Sequence, residues 1–107
     1  MTFEELLREV KKIKCQEMRA HQENYLEVVV AKPELEAVTT VLQSYFSLPL
    51  KPAGEHPSKE ANAYSEPYGG IQSNQTMYFR KNETASDLAF LWPWGSGTAI
   101  TVKIIRE

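Results

Sequence analysis

The sequence predicts an α+β fold, a two-layer sandwich in the order α-β-α-(long loop)-β-β-β, with a four-stranded mixed sheet and two helices on one face. Three observations carry this expectation. Apolar residues recur at helical spacing at the front of the chain, and a run of three valines is followed at once by a second helical pattern. The last third alternates apolar and polar residues between turn signals.

Thr2 to Arg19 is the clearest helix, because Phe3, Leu6, Leu7, Val10, Ile13 and Met18 fall on one face. Thr2 and Glu5 have capping-box spacing, which pairs a hydroxyl with a backbone N–H in one direction and a carboxylate with another in the reverse. Lys14 projects near the middle of the apolar face, so its stem is expected along the core edge with the ammonium in water. Beyond the polar stretch His21 to Asn24, the run Tyr25 to Ala31 reads as an interior strand, apolar on both sides. Pro33 presets φ for a helix start and Glu34 and Glu36 suit its positive end. Leu35, Val38, Leu42, Tyr45 and Phe46 then define a helix that Ser47 and Pro49 end. Strand and helix together resemble the first half of a βαβ unit, which requires a parallel neighbour strand.

Leu48 to Gly70 interrupts the pattern. It holds four of the six prolines and three of the five glycines, and it sustains no apolar period. Loops of this length inside small domains are mostly functional or disordered. Behind it, Ile71 to Lys81, Ala85 to Trp92 and Thr98 to Ile105 read as an antiparallel meander, with turns at Asn82-Glu83 and at Pro93 to Gly97.

Composition narrows the function classes. A chain of 107 residues that is 42 % apolar supports one core, so residues 1–107 are expected to form a single domain carrying the 48–70 loop. The single cysteine, Cys15, allows no internal disulfide and favours a reducing compartment. Met1 to Lys12 carries acids early and no apolar run of signal-peptide type, and no stretch approaches the roughly 18 apolar residues of a membrane span, so a soluble cytoplasmic protein is expected. Net charge is −2 and no block of one sign emerges; Lys11, Lys12 and Lys14 lie between Glu9 and Glu17. Phosphate neutralisation needs a basic footprint, so nucleic acid is not an expected partner.

The chemistry-bearing residues do not assemble into a known pattern. His21, His56 and Cys15 are far apart in sequence, which argues against a metal site, and no serine stands in a nucleophile-elbow context. Tyr68-Gly69-Gly70 enters a strand instead of opening a helix, so the phosphate-cradling geometry of a helix start is missing. Accordingly no catalytic residue, metal ligand or cofactor is assigned.

Candidate contact residues remain. His56 and Lys51 lie in the long loop with Tyr64 and Tyr68, Arg80 falls on a strand face, and Trp92 and Trp94 bracket a proline at a hairpin tip. Large amphipathic rings at loops and tips are typical of contact surfaces. These residues support a non-catalytic binding or assembly module that self-associates or docks on a protein partner through an aromatic loop and a half-apolar sheet face. The alternative is a small-molecule-binding protein or enzyme, with loop 48–70 as a lid over a pocket holding Lys51, His56, Tyr68 and Arg80.

Overall fold

The structure, a computed structural model, describes all residues from Met1 to Glu107. Thr2 starts helix α1 (Phe3–Lys11) with the expected capping box: its hydroxyl accepts from the Glu5 N–H at 3.1 Å, and its own N–H donates to Oε1 of Glu5 at 3.2 Å. Phe3, Leu6, Leu7 and Val10 are buried along one stripe of α1.

The helix stops at Lys11, eight residues short of the Arg19 expected from spacing. The N–H of Gln16 donates to the carbonyl of Val29 at 2.7 Å, and Glu17–Gln22 forms strand β1, antiparallel to β2 (Tyr25–Ala31) across the turn at Glu23 and Asn24. Five of the six β1 residues are exposed, so this strand carries no apolar alternation, while Ile13 and Met18 happen to continue the helical spacing. A bulge between Met18 and Ala20 interrupts its register, which helps protect an open sheet edge.

A 3-10 turn at Lys32–Glu34 leads into α2 (Leu35–Phe46). Ser47 ends α2 at φ 69°, the one non-glycine residue in the left-handed region, with its N–H on the carbonyl of Gln43 at 2.9 Å. The chain then crosses to the far edge of the sheet and returns as β3 (Thr76–Lys81), β4 (Ser86–Pro93) and β5 (Ala99–Arg106).

The expected four-stranded mixed sheet is thus corrected to five strands, all antiparallel, in the order β1-β2-β5-β4-β3. No parallel partner completes a βαβ unit. The last strand inserts beside β2, in register from Tyr25 opposite Ile105 to Ala31 opposite Ala99. Burial on both faces, Leu26, Val28 and Val30 beneath the helices and Val29 on the other side, explains its continuous apolar run.

Helices α1 and α2 pack on one face of the sheet. The core there joins Leu6, Val10, Val38 and Leu42 to Leu26, Val28, Val102 and Ile104. Leu6, Leu26, Leu42 and Ile104 are completely buried, each contributing about 1.5–3 kcal/mol.

The opposite face carries a third helix and a second core, which corrects the two-layer, two-helix expectation. Ser58 caps the short α3 (Lys59–Ser65), accepting from the Ala61 N–H at 3.1 Å. Ala61 and Ile71 pack on Met77, Leu88, Phe90 and Ile105 of the sheet. The first part of the loop is tied to the β3 edge by reciprocal backbone bonds, Lys51 N–H to Met77 O at 3.1 Å and Met77 N–H to Lys51 O at 3.0 Å. Gly69 and Gly70, at φ 99° and 80°, let the chain reverse after α3, a path costly for a residue with a Cβ. The radius of gyration, 12.8 Å, matches the about 13 Å expected of a compact 100-residue domain, so the loop adds no extended arm. No helix is long and apolar enough to cross a membrane.

Candidate functional site

The seven residues singled out in the sequence occupy different environments. Lys51 is 2 % exposed, and its ammonium donates inward to the carbonyls of Ser73 and Gln75, both at 2.5 Å. Burial pushes its pKa down, opposed by the Glu55 carboxylate. His56 is exposed ahead of α3. Arg80 lies on the helix-covered face, its guanidinium 4.5 Å above the Tyr45 ring and donating to the Tyr45 carbonyl at 3.1 Å. A single pocket holding Lys51, His56, Tyr68 and Arg80 is therefore not formed: one is internal, one sits on the helix face, and Tyr68 sits on the opposite face.

The aromatic residues are brought closer together. Tyr64 of α3 stacks on Phe79 with centroids 4.1 Å apart and planes 6° from parallel. Tyr68 approaches Phe90 at 6.0 Å, and Phe90 approaches Trp92 at 5.8 Å. Burial raises the Tyr68 phenol pKa, reinforced by the nearby Glu107 carboxylate. The loop rings thus fold back over the β3–β4 half of the second sheet face.

Strand register defines what lies on the other half. One row across the sheet reads Trp92, Thr101, Val29, Glu17, and the next reads Phe90, Lys103, Glu27, Ala20. Val29 and Thr101 are buried without a helix above them. Long side chains cover them instead. Trp94 bends down so that its indole N–H donates to the Thr101 hydroxyl at 2.9 Å, leaving the ring 39 % exposed. The Arg19 guanidinium lies 5.7 Å from the Trp94 centroid and 3.6 Å from Glu27, and the Lys103 ammonium sits 3.8 Å above the Trp92 ring. Tyr25 donates to Glu27 at the margin of this layer; burial first, and that carboxylate second, push its phenol well above the usual tyrosine range.

The layer has a defined chemical character. Two indoles, two cations and two carboxylates form a mixed surface of alternating charge. No nucleophile is paired with a base in it, and no group of three His, Cys, Asp or Glu anywhere in the chain is placed to hold a metal ion. The Trp92 indole N–H is buried and has no acceptor, the one buried side-chain polar atom left unpaired. Arg19 is not among the contact residues the sequence points to, and Lys103 is legible there only as part of the half-apolar sheet face. Lys103 was visible as an outward position of an alternating strand, whereas Arg19 was hidden inside an apparent helix.

Comparison with protein-family models, with curated proteins and with solved structures finds no significant match.

Proposed function

We propose that this chain is a non-catalytic assembly module that pairs with a second copy of itself through the Arg19–Trp94–Trp92–Lys103 layer. The observation carrying this reading is charge balance around an aromatic centre. Arg19 and Lys103 share one strip with Glu17 and Glu27, so a two-fold related copy turned onto it sets cations against carboxylates. Tryptophan and arginine are the side chains that most often dominate interface energy.

Sedimentation velocity over a wide concentration range tests the reading. A rise in sedimentation coefficient with concentration is expected, moved to higher concentration by Trp94→Ala and by Lys103→Glu. The double swap of Lys103→Glu with Glu27→Lys restores it, because the opposed charges are exchanged together. A constant monomer coefficient for the unaltered chain overturns self-association, and capture of a different protein by the same layer transfers the surface to a hetero-partner.

A further inference from the structure

On the opposite face of the sheet, a half-open cleft of about 260 Å³ lies between the first turns of α2 and the ends of β3, β4 and β5. Tyr78, Leu91 and Ile100 form its floor, Leu35 and Thr39 one wall. Pro49, Pro52 and Ala53, the opening residues of the long loop, stand across from them. A second chamber of about 190 Å³ adjoins it, sharing Leu35, Pro93 and Ile100, and Lys32 is part of its lining. The larger chamber exceeds the about 150 Å³ that accommodates a benzene-sized guest in an apolar protein cavity.

Charge is distributed along this path in one way only. Lys32 is the sole charged residue lining either chamber, and it forms no ion pair within the chain. Glu34 and Glu36 are close in sequence, but neither lines the cleft. The polar residues lining the larger chamber, Thr39, Asn74, Thr76 and Tyr78, are uncharged. Two adjoining, largely apolar chambers, of which only the smaller is lined by a charge, a lone cation, are complementary to a small amphiphile with a single negative head.

We propose that this cleft binds a medium-chain carboxylate, its tail over Leu91 and Ile100 and its head on the Lys32 ammonium. The site faces away from the tryptophan layer and is independent of self-association. Amide NMR of the full chain with octanoate below its micelle concentration provides the test, with octanol as the uncharged tail and acetate as the head alone. Octanoate is expected to shift the amides of Leu35, Thr39, Ala53 and Ile100, while acetate leaves them in place. Lys32→Ala should weaken octanoate by up to about fivefold and leave octanol unchanged, as for an exposed ion pair. Thr39→Phe fills the larger chamber and should remove both ligands. Absence of octanoate shifts overturns the site, and octanoate affinity indifferent to Lys32→Ala overturns its assignment to a carboxylate. Should Thr39→Phe lose the dispersed amide spectrum, Ala53→Trp, on the exposed loop side, serves as the filling variant, and octanoate binding that persists in it likewise overturns the site.

Discussion

Asp87 and Arg106 stand opposite each other on β4 and β5, and the guanidinium grips both carboxylate oxygens, Nε to Oδ1 at 2.7 Å and Nη2 to Oδ2 at 2.9 Å. Asp87 is wholly buried and also accepts from the Tyr45 hydroxyl, while the guanidinium lies 4.4 Å from the Phe3 centroid. The carboxylate therefore ties the end of α2 to the last strand, and the guanidinium extends the link to the start of α1. Removing one partner of a buried pair strands the other charge, which typically costs about 3–5 kcal/mol. Arg106→Met, which strands the wholly buried Asp87 carboxylate, is expected to lose that much stability in urea unfolding, and a loss below about 1 kcal/mol would place the pair among ordinary surface bridges.

Alkaline pH should weaken the fold. Burial raises the phenol pKa of Tyr25, Tyr45, Tyr68 and Tyr78, with carboxylate neighbours adding to the shift in the first three. The folded state then holds these protons more tightly than the unfolded chain does. Their stabilisation is complete below the ordinary tyrosine pKa of about 10 and is lost as pH climbs through the folded values. Lys51 acts in the opposite sense, since burial lowers its pKa, but it is one group against four. Urea midpoints should fall between about pH 9 and pH 11, and a flat or rising series would contradict the assignment.

The elements legible in the sequence are those whose burial pattern is apolar and regular. Strand β2 occupies Tyr25–Ala31, the run marked by its valines, and α2 follows from Leu35, Val38, Leu42, Tyr45 and Phe46. Two elements left no such trace. Strand β1 is a solvated edge whose stability lies in backbone bonds to β2. Helix α3 buries only Ala61 and Ser65, one small and one polar residue, so a seven-residue helix passes for loop. The candidate site shows the same division. Trp92 and Trp94 were visible as rings near a hairpin tip, but their cationic partners arise from register, and Arg19 reaches them only because β1 exists.

Lys51 is expected to act as an internal clip and not as a ligand contact. Its ammonium holds the carbonyls of Ser73 and Gln75, and its backbone pairs with Met77. Lys51→Met keeps the apolar stem but removes both donated hydrogen bonds, at a cost of about 1–3 kcal/mol for the carbonyls left unpaired. The effect should be local. Amide exchange should accelerate at Gly54 and across 73–77, while β2 and β5 stay protected. Uniform acceleration throughout the sheet would show that the clip supports the whole fold.

Trp92 separates packing from recognition. Its ring lies against Phe90 and beneath Lys103, while its indole N–H is buried with no acceptor. Trp92→Phe retains an aromatic surface and deletes the unpaired donor, whose burial typically costs about 1–3 kcal/mol. Loss of ring area works against that relief, so the stability of the monomer should change by no more than about 1 kcal/mol in either direction. Self-association should nevertheless weaken, because the smaller ring offers less aromatic surface beneath Lys103 in the layer. Urea unfolding and sedimentation velocity on the same variant resolve the two effects. A stability loss of about 3 kcal/mol with association intact would assign Trp92 to packing alone and remove it from the proposed interface.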